Sequence, residues 1–174
     1  MKGPVLTRSM TQVSLHKISE NNRAECLDLR VAESQSGWVA PNSESLEEAA
    51  ANANLVPLAI YDVMARGFEK PDVPMVGFTM YELSAGVGFI RRLMIDRRFQ
   101  GKGYGRAAIL EVIRRLKLHP EVEMIATRHR RENEAAAKLY RSLGFVDWKI
   151  RWAQGHPSEV YLWHPRASQP PADF

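Results

Sequence analysis

The stretch Met94-Ile95-Asp96-Arg97-Arg98-Phe99-Gln100-Gly101-Lys102-Gly103-Tyr104-Gly105-Arg106-Ala107-Ala108-Ile109-Leu110 decides how the rest of the chain is read. An apolar, β-favouring run from Phe89 to Ile95 leads into three glycines within five residues, Gly101, Gly103 and Gly105. A helical pattern follows at once, with Ala108, Leu110, Val112, Ile113 and Leu116 expected to form its apolar stripe. Strand, glycine turn and helix start make an anion site. Glycine lets the backbone come close to a ligand, and the free N–H groups of the first helical turn point at it with the helix dipole behind them. Lys102 and Arg106 add positive charge beside the turn. The natural guest is a pyrophosphate, although such a turn can also be purely structural.

Spacing narrows the guest. The loop lacks the G-x-x-x-x-G-K-[ST] order of a nucleotide-triphosphate loop, and its glycines do not fit G-x-G-x-x-G. They fit Q/R-x-x-G-x-G/A, read as Gln100, Gly103 and Gly105. This resembles the acyl-CoA loop of the GNAT N-acetyltransferase superfamily. A second run, Asn133-Glu-Ala-Ala-Ala-Lys-Leu-Tyr140-Arg-Ser-Leu-Gly144-Phe145, is similar to that superfamily's later helix, with its Asn, Ala, Leu-Tyr and Gly-Phe in order. The resemblance is strong from about Val76 to Phe145. It implies a mixed α/β (α+β) GNAT fold, with a central, mostly antiparallel sheet flanked by helices, and acetyl-CoA as co-substrate.

The chain has 174 residues, 45% hydrophobic and 25% charged, which suits one globular domain. That domain is expected over 12–165, between a loose leader (1–11) and a flexible tail (166–174). No apolar run approaches the ~20 residues of a membrane span. No apolar leader core opens the chain, so a cytoplasmic setting is expected. The single cysteine, Cys26, is read as a buried, inert thiol. Five scattered histidines without ligand spacing predict no metal site.

Charge is segregated. Between Arg91 and Arg106 stand six cations (Arg91, Arg92, Arg97, Arg98, Lys102, Arg106) against Asp96 alone. Between Val31 and Ala65 stand Glu33, Glu44, Glu47, Glu48 and Asp62, with no Lys or Arg. Basic residues around a phosphate loop are explained by the phosphates of CoA, so nucleic acid is not expected as a partner.

The pattern predicts a strand over Val13–Ile18, then a helix capped by Asn21 or Asn22 and running to about Glu33. Ala24, Leu27 and Val31, with Cys26, are expected to face inward. A second helix is expected from Ser43 to about Asn52, a strand from Leu58 to Met64 after Pro57, and a turn over Gly67–Pro74. A hairpin joins strands Met75–Leu83 and Val87–Asp96 through Ser84-Ala85-Gly86. Then come a helix to Lys117, a strand over Val122–Arg128, a helix over Asn133–Leu143, and strands Phe145–Trp152 and Glu159–Trp163. Trp152 and Trp163 point to a possible homodimer surface.

Asn133 reads as an N-cap, and the resemblance adds a place near the pantetheine arm. Glu134 and Lys138 are an i,i+4 pair, with Lys138 also a candidate cofactor contact. Tyr140 lies two turns after Asn133, on the same face. Packing and general acid are both open to it, and the resemblance favours the acid, protonating the departing CoA thiolate. The resemblance also assigns the backbone of Leu93, Met94 and Ile95 to the pantetheine amides, and the loop Gln100, Gly101, Lys102, Gly103, Tyr104, Gly105 and Arg106 to the cofactor. Many relatives carry a carboxylate on this strand, roughly where Arg91 stands. Glu82 and then Glu33 are therefore the candidate bases, with ordered water as a further route.

The run Arg92–Gly105 resembles the bacterial diamine and spermine/spermidine N-acetyltransferases, and Gln35, Trp38, Asn42 and Pro57 fit that layout. The expected function is acetyl transfer to a primary amine, a polyamine or diamine drawn by the acidic segment 31–65 and by Trp38. Another acceptor (an antibiotic, an amino acid, a protein N-terminus or lysine) stays open, as does a non-catalytic CoA-binding module.

Overall fold

In the computed structural model, residues 11–63 and 73–165 are described. The leader over 1–10, the Gly67–Pro74 turn up to residue 72, Met64 and the tail from 166 lie outside the described residues, as does the Trp152 side chain. The elements run β1 (Val13–Lys17), α1 (Glu20–Asp28), α2 (Asn42–Ala51), β2 (Leu55–Asp62), β3 (Met75–Ser84) and β4 (Val87–Ile95). They continue with α3 (Tyr104–Leu116), β5 (Met124–Arg130), α4 (Glu134–Ser142), β6 (Val146–Asp147) and β7 (Glu159–His164). Seven strands form one sheet in the order β1-β2-β3-β4-β5-β7-β6, and every pairing is antiparallel except β4 with β5. This is the mixed α/β layout expected from the motifs.

Period-2 alternation sorts the core into two layers. Leu58 and Ile60 point to one side with Ile90, Ile125 and the buried stripe of α3. Ala59 and Tyr61 point to the other with Phe78, Met80, Cys26 of α1 and Leu46 of α2. The sheet therefore separates α1 and α2 from α3 and α4.

Local departures from expectation have physical causes. Helix α1 stops at Asp28, with Ser19 rather than Asn21 or Asn22 at its N-cap, and Glu33–Gln35 forms a separate 3-10 turn. Ala24 is exposed, and Cys26 and Leu29 are what α1 buries. The α3 stripe runs through Ala108, Ile109, Val112, Ile113 and Leu116, and Leu110 is 46% exposed, because Val112, Ile113 and Leu116 stand at i+3, i+4 and i+7 from Ile109, not from Leu110. Pro57 lies inside β2, opposite Met80 but beyond the end of the β1 pairing at Leu58. There one edge of the strand is open and a missing N–H is tolerated. The expected strand Phe145–Trp152 shrinks to two residues, since Phe145 turns into the core and Trp152–Gly155 winds as a 3-10 turn.

Candidate active site

Two breaks in β4 open the site. Met80 pairs with Arg92 and Tyr81 with Ile90, so Arg91 is an extra residue bulged out of the ladder. On the other edge, the parallel pairing with β5 ends at Ile90–Thr127, although β4 continues to Ile95 and β5 to Arg130. The strands part there, and the edges of Leu93–Ile95 that face β5 have no strand partner among the described residues. A cleft of about 600 Å³ occupies the gap, of the size that holds a small ligand.

One wall of the cleft is the loop after β4. Gly101 and Gly103 hold φ of +74° and +86°, the left-handed region that glycine favours. Gly103 is the N-cap of α3, no side chain caps the helix, and the N–H groups of its first turn lack intrahelical acceptors. A Cβ on Gly103 would sit 3.2 Å from Thr11 Oγ1, whose hydroxyl donates to the Lys102 carbonyl at 2.7 Å. Both the φ and the crowding by Thr11 disfavour a side chain at Gly103.

The loop is fastened from several sides. Gln100 Nε2 donates to the Ile95 carbonyl at 2.9 Å and to Gln35 Oε1 at 2.8 Å. Tyr104 donates to Asp62 at 2.5 Å, and this bond, with burial, pushes its phenol up to about 12. Asp96 is buried. Its carboxylate accepts from the Arg98 side chain at 2.8 Å, the Arg98 N–H at 3.0 Å and the Arg30 N–H at 2.9 Å. Burial alone would raise its carboxyl, but these bonds outweigh it and hold the group below the usual range. Gly105 and Tyr104 line the cleft, while Lys102, Arg106 and Lys138 are exposed and stand outside the lining. Lys102 rests over the Phe99 ring, and Arg106 donates to Ser142 at 3.0 Å. Lys138 forms no ion pair with Glu134 among the described residues.

A second wall, packed against the first, is α4. Asn133 caps it, its side chain accepting from the Ala136 N–H at 3.0 Å. Tyr140 is 5% exposed and lines the cleft, its ring edge-on to Phe145 with centroids 5.3 Å apart. Burial raises its phenol above the ordinary value, and a contact with Thr127 opposes the shift. The hydroxyl is therefore kept as O–H.

The remaining lining comes from the α1–α2 connection, including Trp38, and from charged groups on β4, β5 and β7. Arg91 binds Glu82 at 2.9 Å and Glu48 at 3.4 Å, and Arg92 binds Glu48 at 3.0 Å. Arg128 binds Glu159 at 3.1 Å. The basic and acidic blocks, distant in sequence, thus meet through Glu48, and Arg91 and Arg92 are engaged there rather than on the loop before α3. Neither Glu82 nor Glu33 lies in the lining: Glu82 is held by Arg91, and Glu33 is exposed on its 3-10 turn. Sequence reasoning missed Arg128, His129 and Glu159. His129 is 8% exposed, its Nδ1 sits 2.7 Å from the Arg130 carbonyl, and its Nε2 is buried without a hydrogen-bond partner. That bond places the proton on Nδ1 and leaves the Nε2 lone pair free. The signal that could have found it is the alternation that sets His129 on the same face of β5 as Thr127, beside Tyr140.

Residues 23–145, most of the chain, match the model of the acetyltransferase (GNAT) family. The chain belongs to that family. It is an N-acetyltransferase by membership. The spermine/spermidine N(1)-acetyltransferase of Bacillus subtilis (strain 168) is 28% identical over 141 residues, 76% of this chain and 87% of that protein. The ribosomal-protein-S18-alanine N-acetyltransferase of Escherichia coli shares the fold with a TM-score of 0.65 at 16% identity, over 94% of this chain and 99% of that one. The spermidine N-acetyltransferase of Vibrio cholerae, solved with CoA and spermine, gives 0.61 at 15% identity over 87% and 93%.

Proposed function

We propose that this enzyme transfers an acetyl group from acetyl-CoA to a primary amine by direct attack, with Tyr140 as general acid. The observation that carries the reading is one cleft bounded by a bare-backbone anion loop, an open β4 edge and a buried phenol. Acetyl-CoA supplies an activated acyl thioester whose sulfur must leave with a proton. The loop from Gly101 to Gly105 holds its pyrophosphate through N–H groups and the α3 dipole. Exposed Lys102 and Arg106 add attraction from the rim, and Asn133 and the edge of Leu93–Ile95 that no strand covers receive the pantetheine amides, apart from the Ile95 carbonyl, which Gln100 already holds. An N–H on that edge donates to the thioester carbonyl as charge develops on its oxygen.

Two protons leave the nitrogen. Tyr140 O–H, in the cleft lining, protonates the leaving sulfur, and the proton still on the acylated nitrogen then restores the phenol. The attacking ammonium must first lose the other. Glu82 and Glu33 can take it only through water, since both stand outside the lining. His129 is the acceptor favoured here, because its Nε2 has no partner. No serine or cysteine nucleophile is invoked: Cys26 is fully buried, and burial pushes its thiol up to about 11.

The relative named for spermine and spermidine supports a polyamine or diamine as acceptor. A second reading, an amine that also bears an anion, is favoured by the arginines of the lining. CoA release assayed across amines tests the reaction. An amine that drives stoichiometric CoA release and leaves as its N-acetyl product supports it, and CoA binding without turnover on any amine would leave a binding module.

A further inference from the structure

The charged groups that line the cleft are unbalanced. Arg91, Arg92, Arg128 and Arg130 face it, and Glu159 is the one carboxylate among the described lining residues. Glu159 is spoken for by Arg128 and by the Tyr161 hydroxyl at 2.7 Å. The carboxylates that hold the other arginines, Glu48 and Glu82, stand outside the lining. Glu48 has to serve both Arg91 and Arg92. Donors outnumber acceptors as a result, and the Nε–H groups of both arginines are buried with no acceptor. Burial is the largest influence on Arg92 and works against its charge; Glu48 opposes it, and Arg91 and Arg128 are close enough to add repulsion that Glu44 counters in part. A cluster in that state gains from a further anion.

A polycationic acceptor would meet the opposite of what it needs. The bulge that throws Arg91 out of the β3–β4 ladder lies on the strand whose edge frames the thioester, so the mismatch falls beside the reaction. Arginine, with a planar fork of donors, matches a carboxylate in two parallel hydrogen bonds. Trp38, half-buried on the connection between α1 and α2, offers a flat apolar face to the carbon chain between the acceptor's two ends.

We infer that the acceptor is a small amine that also carries a carboxylate, held by the Arg91, Arg92 and Arg128 cluster while its amino group reaches the thioester. This rests on the acetyltransferase reading above and specifies its acceptor. It sets the enzyme apart in substrate from the relative named for spermine and spermidine.

Decarboxylation pairs isolate the point: lysine against cadaverine, and ornithine against putrescine, differ by the carboxylate alone. We expect kcat/KM to favour the amino acid of each pair by roughly tenfold to a hundredfold, the range of a charge-assisted hydrogen bond. Arg128→Gln and, separately, Arg91→Gln should shrink that ratio while CoA affinity, read by calorimetry, stays unchanged and certifies the fold. Equal or faster turnover of the diamines would overturn the inference and leave the transferase reading standing. If no amine turns over, the same pairs titrated into CoA-loaded protein decide. Preferential binding of the amino acid supports the inference although the catalytic reading has failed, and equal or reversed binding overturns it.

Discussion

Glu48 on α2 holds Arg92 on β4 at 3.0 Å, and the arginine side chain is 11% exposed while the glutamate is 37% exposed. This pair, with its Arg91 neighbour, ties α2 to the strand that lines the cleft. Removing the carboxylate leaves a largely buried guanidinium short of its partner, which costs more than a surface pair is worth. Glu48→Gln should lose about 2 kcal/mol of stability, seen as a lower urea midpoint at unchanged slope. A loss under a few tenths would mean the pair is ornamental.

Tyr140→Phe should keep the fold and the affinity for CoA while kcat drops by about a hundredfold. The raised phenol carries a pH signature. A group that stays protonated to higher pH than usual remains a competent acid there, so kcat should show no falling limb below about pH 10. Rate–pH profiles of the wild type and the variant check both statements, and a descending limb near neutrality would assign the acid elsewhere.

His129→Gln should lower kcat/KM at neutral pH by about tenfold to a hundredfold. The gap should narrow as pH approaches the amine's own value of about 10, where free amine no longer needs a base. A constant deficit at all pH would make His129 a packing residue.

Asp96 fixes the start of the loop before α3 to the chain after α1 through the Arg30 N–H. Its folded-state carboxyl is held below the unfolded value. The stability it contributes is therefore full above about pH 4 and is lost as pH falls through the folded value. Asp96→Asn should cost about 2 kcal/mol at pH 7 and converge on the wild type in acid. Urea titrations at pH 7 and pH 3 would show the difference closing, and a gap that persists in acid would contradict it.

The parts legible in the sequence are those governed by local chemistry. Glycines at Gly101 and Gly103, the Asn133 cap and the heptad-spaced Tyr140 each announce a backbone or face requirement within a few residues. What stayed hidden depends on distant partners. Glu82 is a candidate base on sequence alone, but the β3–β4 register sets it against Arg91; Glu48 belongs to the acidic segment expected to draw a polyamine, but α2 lays it over two arginines. The Arg91 bulge has no sequence mark, since it arises from a mismatch between two strands. Leu110 shows the limit of period reading, because choosing Leu110 rather than Ile109 rotates the apolar stripe onto solvent.

The most direct measurement is isothermal calorimetry of acetyl-CoA against the wild type and against Gly103→Ala. That substitution places a Cβ at φ +86° and 3.2 Å from Thr11 Oγ1, within the cradle proposed for the pyrophosphate. We expect one-to-one saturable binding to the wild type, weakened about tenfold or more in the variant, with an unchanged thermal unfolding profile apart from a small downward shift. No heat with the wild type, or equal affinity in both proteins, would contradict an anion grip at the start of α3.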